Sequence, residues 1–179
     1  MFRGLVILNG GSSSGKSAIV ASLQDLLPEP WLADGIDRFL SSMPRRLLRP
    51  DGVLQIQRDG SIVVRSDFRA YERAWMLGVA ATARAGANVL VDDVFLGGGA
   101  SQARWRAACT DVPCRFVGVH CAPEVVAERE AARGDRVTGM ATTQATLAHV
   151  DVAYDFEVDT THADPLKCAR AIAAYLETT

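Results

Sequence analysis

The stretch that decides the fold is Gly10-Gly11-Ser12-Ser13-Ser14-Gly15-Lys16-Ser17. It fits the pattern G-x-x-x-x-G-K-[ST] of the phosphate-binding P-loop. An apolar run at 5–8 precedes it and has the length of a buried strand, and apolar residues recur at helical spacing over 19–27 behind it. Because a P-loop joins a strand to a helix, this context favours a nucleotide-phosphate site over a chance match in an ordinary turn.

The residue types of the loop suit a bound anion. Glycine lets the backbone curl so that several N–H groups point at one phosphate, and the helix behind the loop adds the positive end of its dipole. Lys16 can reach the β- and γ-phosphates of a nucleotide, and the hydroxyl of Ser17 can bind Mg²⁺. We therefore expect every residue from Gly10 to Ser17 to belong to the nucleotide site, and Ser17 to the metal site as well.

The composition of the whole chain is that of an ordinary globular protein. Its 179 residues predict one domain over 1–179, and a net charge of −2 without a basic stripe argues against a nucleic-acid partner. No apolar run approaches the length of a membrane span, and no signal peptide is recognisable. The four cysteines lack the C-x-x-C spacing of a zinc or redox site, so we expect buried thiols and a cytoplasmic location.

Predicted strands alternate with predicted helices along the chain. Five strands are expected at 5–8, 31–37, 88–93, 115–121 and 154–159. The main helices are expected behind the loop, over 67–86, after the glycines at 97–99, over 124–132, and after Asp164 as an N-cap. This alternation predicts an α/β fold in which a five-stranded parallel sheet lies between helices on both sides.

Asp37 follows the second predicted strand and is the candidate general base. Ligands of an open α/β sheet bind at the carboxyl ends of the strands, so Asp37 is expected near the loop. A carboxylate there could take the proton of an attacking hydroxyl, although Asp37 could equally be the N-cap of a following helix. Strand alternation places Asp34 and Asp37 on opposite faces, which would let only one of them face the phosphates.

Asp92 ends the third predicted strand, after four apolar residues. P-loop proteins place an acidic residue beside the first strand to hold Mg²⁺, and Asp92 suits this role. The alternative is a carboxylate that only satisfies a helix N-terminus or a loop. The sequence leaves the choice between Asp92 and Asp93 open, and the three histidines of the chain show no pattern that would mark a site.

Arg129, Arg133 and Arg136 recur at helical spacing, which would place them on one face of a helix. Gly134-Asp135 is expected to break that helix, so that residues 129–140 form a lid over the nucleotide. Arginines on such a segment can neutralise the charge that spreads over a transferring phosphoryl group. The alternative is a solvated helix face with i,i+4 ion pairs.

Residues 38–66 interrupt the alternation of strands and helices. They predict a short helical arm broken at Pro44 and then a hairpin whose turn contains Asp59-Gly60. This segment could cover the pocket of a phosphate acceptor, or it could be surface decoration.

Five stretches, spread over nearly the whole chain, share a pattern with one family. They are Ile7-Leu8-Asn9-Gly10-Gly11-Ser12-Ser13, Leu27-Pro28-Glu29-Pro30-Trp31-Leu32-Ala33, Asp92-Asp93-Val94-Phe95-Leu96-Gly97-Gly98, Ala132-Arg133-Gly134-Asp135-Arg136-Val137 and Glu157-Val158-Asp159-Thr160-Thr161-His162. Together they resemble the chloramphenicol phosphotransferase family, whose members are P-loop kinases of antibiotic producers. Residues 34–66 depart from the family pattern, and Asp34 stands where an apolar residue is expected.

The resemblance implies a three-layer P-loop kinase fold like that of the nucleoside monophosphate kinases. It implies an ATP- and Mg²⁺-dependent transfer of the γ-phosphate to a hydroxyl of chloramphenicol or a similar antibiotic. It further implies that Asp37 is the base, that Arg133 and Arg136 belong to the nucleotide lid, and that the protein forms homo-oligomers. In the resulting hypothesis, Lys16, Arg133 and Arg136 stabilise the transferring phosphoryl group.

Two other functions fit the same residues. The chain could phosphorylate another small alcohol, a sugar or a nucleoside in the same geometry. It could also be a nucleotide-dependent switch, which would hydrolyse nucleotide without any acceptor.

Overall fold

A parallel five-stranded sheet forms the centre of the computed structural model, which describes residues 1–49, 52–56, 62–133 and 140–179. The strands are β1 (Leu5–Asn9), β2 (Trp31–Gly35), β3 (Leu54–Ile56), β4 (Ile62–Val64), β5 (Asn88–Asp93), β6 (Cys114–His120) and β7 (Phe156–Asp159). The central sheet has the order β2-β5-β1-β6-β7, and β3 and β4 form a separate antiparallel pair.

Helices cover both faces of the central sheet. They are α1 (Lys16–Leu26), α2 (Ile36–Ser42), α3 (Ser66–Arg84), α4 (Gly99–Ala108), α5 (Pro123–Arg133), α6 (Met140–Leu147) and α7 (Pro165–Thr178), with a 3-10 turn at Arg45–Leu48. Val6 and Leu8 of β1 pack with α1 and α7 on one face, and Leu5 and Ile7 pack with α3 and α4 on the other. The first four residues of β1 are apolar, as expected of a strand that is buried on both faces, and Asn9 ends it. The predicted three-layer α/β fold is therefore confirmed.

The register of the sheet brings the carboxyl ends of three strands to one edge. Leu8 and Asn9 of β1 lie opposite Asp92 and Asp93 of β5. On the other side of β5, Gly35 of β2 lies opposite Asp92. The loop that follows Asn9 and the helix that follows Gly35 consequently begin next to the carboxylate of Asp92.

Segment 38–66 contains the elements expected of it. Helix α2 and the 3-10 turn flank Pro44, and Leu54 of β3 pairs with Val64 of β4, while the predicted turn at 58–60 lies outside the described residues. Met43, Val53 and Phe68 are the buried centre of an apolar cluster that these elements form with the start of α3. Together with the half-buried side chains packed against them (Ile36, Phe39, Leu40, Leu47, Leu54 and Val64), they are called the arm cluster.

Three details differ from the expectations. Strand β2 ends at Gly35 rather than at Asp37, because α2 begins at Ile36. Helix α6 had not been predicted, since its sequence of small residues and threonines shows no apolar stripe. The spacing of Phe68, Tyr71, Trp75 and Val79 predicts a buried stripe on the helix expected over 67–86. In α3, however, Tyr71 is 49% exposed, and Met76 and Ala80 are buried instead.

The expected N-cap of the last helix and the expected free thiols are confirmed. The carboxylate of Asp164 caps α7 by accepting a hydrogen bond of 2.7 Å from the backbone N–H of Leu166. Cys109, Cys121 and Cys168 are buried free thiols, and Cys114 is half-buried. Among the described residues, no helix combines the length and apolar character needed to cross a bilayer.

Two glycines allow a matched test of packing. Gly4 has a φ of +134°, and a Cβ there would lie 2.4 Å from the carbonyl oxygen of Pro113. Gly78 lies on the exposed side of α3 with nothing within 4 Å of such a Cβ. We expect Gly4→Ala to lower the free energy of unfolding by about 2 kcal/mol, and Gly78→Ala to raise it by about 1 kcal/mol because alanine favours a helix. Urea denaturation measures both changes, and equal stabilities for the two variants would contradict the expectation.

Candidate active site

The P-loop curls around the ammonium group of its own lysine. Lys16 is the first residue of α1 and is 6% exposed. Its Nζ donates hydrogen bonds of 2.9 Å to the carbonyl oxygen of Gly10 and 2.8 Å to that of Gly11. The positive charge is therefore held inside the loop, at the N-terminus of a helix, where an anion is favoured.

The P-loop contains a buried hydroxyl that a ligand could satisfy. Ser13 has a φ of 60°, and its Oγ is buried without a hydrogen-bond partner in the described part of the chain. A buried hydroxyl without a partner costs free energy, which a phosphate oxygen could offset. Together with Lys16 and the start of α1, this orphaned hydroxyl fits a nucleotide phosphate.

Oxygen ligands suitable for Mg²⁺ meet at the start of α1. The hydroxyl of Ser17 donates a hydrogen bond of 2.6 Å to Oδ2 of Asp92. The other carboxylate oxygen, Oδ1, lies 3.6 Å from Nζ of Lys16. Mg²⁺ prefers oxygen ligands and commonly combines one or two protein groups with waters and substrate phosphates, so this pair fits the ion.

Asp93 has different surroundings from Asp92, although the two are adjacent. Its carboxylate is 4% exposed and accepts hydrogen bonds of 2.7 Å each from Nε1 of Trp105 and the backbone N–H of Val94. Burial raises the pKa of Asp93 to about 6. Asp93 thus joins β5 to α4, and Asp92 is the carboxylate beside Ser17.

A cavity of about 790 Å³ connects the loop to Asp37. Ser12, Lys16 and Ser17 line one side of it, and Asp34 and Asp37 line another. The expectation that strand alternation would separate these two aspartates is wrong, because β2 ends at Gly35 between them and both line the same cavity.

The two aspartates of this cavity differ in their contacts. Asp34 accepts a hydrogen bond of 2.7 Å from the backbone N–H of Gly35 and one of 3.4 Å from Nε1 of Trp75. Asp37 lies in the first turn of α2 and is exposed to the cavity. Asp34 therefore supports the turn between β2 and α2, and Asp37 is the carboxylate that a substrate can reach.

The far wall of the cavity is apolar with one ionic group. Leu40, Leu54, Val64 and Phe68 of the arm cluster line it. Arg69 and Glu72 of α3 also line the cavity. Glu72 is buried, and Nη1 of Arg69 donates to both of its carboxylate oxygens at 2.8 Å. Nε of Arg104 approaches the same carboxylate at 2.9 Å.

Of the three arginines of the predicted lid, Arg129 is the one whose side chain the structure describes. Arg129 donates a hydrogen bond of 2.8 Å to the carbonyl oxygen of Thr160, and its Nη1 lies 3.3 Å from Sγ of Cys121. Arg129 is therefore bound beside the P-loop, between β6 and the segment after β7. Arg136 lies outside the described residues, and of Arg133 only the backbone, at the end of α5, is described.

Sequence reasoning missed two groups next to the loop. The rings of His120 and His149 stack at 4.0 Å, and His149 Nδ1 forms a hydrogen bond of 2.6 Å with the hydroxyl of Tyr154. The amide of Gln144, on α6, accepts a hydrogen bond from the backbone N–H of Ser12. Neither group has a local sequence signal, because its members are brought together only by the fold.

Comparison with known proteins gives the family and the fold. A family model described as "Chloramphenicol phosphotransferase-like protein" matches residues 4–177. A protein of Mycobacterium tuberculosis named as a candidate O-phosphotransferase is 34% identical over 192 residues, covering 94% of this chain and 80% of that protein.

Solved structures agree on the fold. A sugar kinase from Janibacter sp. HTCC2649 superposes with a TM-score of 0.73 at 17% identity, over 98% of this chain and 95% of that one. A gluconokinase from Sinorhizobium meliloti 1021 gives a TM-score of 0.66 at 18% identity, over 99% and 93%. The predicted P-loop kinase fold is thereby confirmed.

The histidine pair makes stability depend on pH in a defined direction. Burial, aided by the charges of His120 and Lys16, lowers the pKa of His149 to about 4, while Glu157 opposes this effect. Because an unfolded histidine titrates near 6.5, the unfolded chain alone binds this proton between about pH 6.5 and pH 4, and stability falls as the pH drops through that window.

We expect His149→Asn to weaken this loss, since asparagine can keep the contact with Tyr154 but does not titrate. Urea denaturation of both proteins at pH 8 and pH 4.5 measures the difference. Wild-type protein should lose more free energy of unfolding over this interval than the variant. Parallel losses would show that His149 titrates alike in the folded and unfolded chains.

Proposed function

Because this chain belongs to the chloramphenicol phosphotransferase-like family and is a small-molecule phosphotransferase with a P-loop, we propose that it transfers the γ-phosphate of ATP to a hydroxyl of chloramphenicol or a similar antibiotic. One observation carries the proposal. The cavity that begins at Ser12, Lys16 and Ser17 continues to an exposed carboxylate, Asp37, and ends at an apolar wall. A transferred phosphate, a base and an acceptor can therefore share one cavity.

The transfer assigns a role to each group in this cavity. Asp37 accepts the proton of the acceptor hydroxyl while the oxygen of that hydroxyl forms a bond to the γ-phosphorus. The bond between that phosphorus and the β–γ bridging oxygen breaks, and ADP leaves with the electron pair. Lys16 offsets the negative charge of the phosphates, as Arg133 and Arg136 of the lid would also do.

The metal site of the proposal consists of Ser17 and Asp92. Bound Mg²⁺ would supply positive charge to the β- and γ-phosphates. The hydroxyl of Ser17 and the carboxylate of Asp92 would hold it. The hydroxyl of Ser17 donates a hydrogen bond to the carboxylate of Asp92, so the two groups already point toward each other.

The wall of the acceptor side favours a molecule with an apolar body. Four side chains of the arm cluster, Leu40, Leu54, Val64 and Phe68, form a surface against which an aromatic ring such as that of chloramphenicol could pack. The ion pair of Arg69 with Glu72 favours a second candidate, a more polar alcohol, sugar or nucleoside, because it offers donors and acceptors to further hydroxyls.

Two expectations about the surroundings of the protein accompany this proposal. The resemblance implies association into homo-oligomers, and the composition predicts a cytoplasmic location; both stay predictions. Neither is required for the transfer, since the P-loop, Asp37 and Asp92 line one cavity within one chain.

We expect Asp37→Asn to keep nucleotide affinity but to lower the rate of transfer about 100-fold or more, because the variant has no carboxylate to accept the proton. The assay incubates each protein with Mg·ATP and a panel that includes chloramphenicol, simple alcohols, sugars and nucleosides, and detects added phosphate by mass. Asp34→Asn is the matched control, since it removes the same charge from the same cavity while keeping an acceptor for Gly35.

The results separate the candidate functions. Phosphate on chloramphenicol supports the proposal, and phosphate only on another acceptor supports the second candidate. ATP hydrolysis with no phosphorylated acceptor would instead favour a nucleotide-dependent switch. Transfer by Asp37→Asn at the wild-type rate would remove Asp37 from its role.

A further inference from the structure

Helix α6 packs directly against the P-loop. A Cβ at Gly11 would lie 2.9 Å from the backbone nitrogen of Ala145, so the loop and the helix touch along their backbones. Nδ2 of Asn9, the residue before the loop, donates a hydrogen bond of 2.7 Å to the carbonyl oxygen of Ala148. The helix is therefore fixed to both ends of the segment 9–11.

The start of α6 is fixed as well. Glu130 of α5 is 5% exposed, and its Oε1 accepts a hydrogen bond of 2.9 Å from the backbone N–H of Ala141. Val126 and Ala141, both fully buried, pack between the two helices. A side chain that projects from α6 toward the loop thus stands on a rigid support, which a precise ligand contact requires.

Gln144 is that side chain. It is 5% exposed, and its Oε1 accepts a hydrogen bond of 2.9 Å from the backbone N–H of Ser12. A backbone N–H can only donate, so the oxygen of the amide must face Ser12. This contact fixes the orientation of the amide, so Nε2 points away from the backbone N–H of Ser12.

Nε2 of Gln144 has no hydrogen-bond partner among the described residues, yet Gln144 lines the cavity together with Ser12, Ser13 and Lys16. The backbone N–H of Ser12 and the ammonium of Lys16 are donors themselves, so they cannot accept its hydrogens. The buried side-chain atoms without a partner in the described residues do not include Nε2, so this end of the amide is accessible from the cavity. A ligand that carries acceptor oxygens would satisfy it.

We propose that Gln144 binds the terminal phosphate of ATP, donating from Nε2 to a γ-phosphate oxygen while Oε1 keeps Ser12 in place. This inference rests on the proposed function. The terminal phosphate is the one concerned because the acceptor hydroxyl must reach it. It must therefore lie in the space shared by Ser12, Gln144 and Asp37, rather than deeper in the loop beside Gly15.

The test compares the affinities of each protein for ADP and for a non-hydrolysable ATP analogue with an imido bridge, measured by calorimetry with Mg²⁺ at pH 8. Gln144→Glu keeps an oxygen that accepts from Ser12 but replaces the donor by a negative acceptor. Gln144→Leu removes both contacts. Gln102→Glu is the matched control, because Gln102 is equally buried and, among the described residues, its amide hydrogen-bonds to Ala153, outside the cavity.

We expect Gln144→Glu to weaken binding of the ATP analogue about tenfold or more while ADP affinity changes less than about threefold, as expected for a lost charge-assisted hydrogen bond. Gln144→Leu should also lower the ratio of ATP-analogue to ADP affinity, and Gln102→Glu should leave that ratio unchanged. Thermal unfolding of each variant shows that the compared proteins are folded.

Three results would overturn the inference. If both variants keep the wild-type ratio of affinities, Gln144 only supports the loop. If Gln144→Leu binds the ATP analogue more tightly, Gln144 competes with the phosphate for Ser12 instead of assisting it. If wild-type protein binds neither nucleotide, the proposed function fails together with the inference, whereas the first two results leave that function intact.

Discussion

The side chain of Asn9 holds the edge of the sheet on which the site is built. It is fully buried at the end of the central strand, where its Nδ2 bonds to the carbonyl oxygen of Ala148 and to the hydroxyl of Tyr154 at 2.5 Å. Its Oδ1 accepts a hydrogen bond of 2.8 Å from the backbone N–H of Phe95. One amide thereby joins the P-loop, the segment after β5, the end of α6 and the segment before β7.

The electrostatics of the site follow from this arrangement. Carbonyl oxygens of the loop and the carboxylate of Asp92 surround the buried charge of Lys16, so the ammonium is solvated by the protein itself. The same contacts keep it beside the N-terminus of α1. Positive charge is thus already in place before an anion arrives, which limits the reorganisation that binding requires.

The sequence was sufficient for the features that local patterns encode. The apolar run before the loop, the motif from Gly10 to Ser17 and the proline after Asp164 each depend on neighbouring residues, and their elements formed as expected. Helix α6 could not be predicted from the sequence, because it is held by Glu130, Val126 and the backbone of the loop rather than by an apolar stripe of its own.

For a related reason, the sequence did not predict that Asp34 and Asp37 line the same cavity. Strand alternation applies only while the strand continues, and β2 ends at Gly35. The backbone is tightly packed there, because a Cβ at Gly35 would lie 2.6 Å from the carbonyl oxygen of Asp92. The partners of Gln144 and His149 are equally invisible to a local pattern. Ser12 is 132 residues from Gln144 along the chain, and only the fold brings them together.

The arm cluster has a consequence for how this protein can change over evolutionary time. Met43, Val53 and Phe68 pack among themselves and with their immediate neighbours, apart from the two cores that enclose the central sheet. A substitution of Leu40, Leu54 or Val64 therefore changes the apolar wall of the cavity while the P-loop keeps its own contacts. Under the proposed function, selection can change which acceptor fits the cavity while the site for the phosphate donor stays the same.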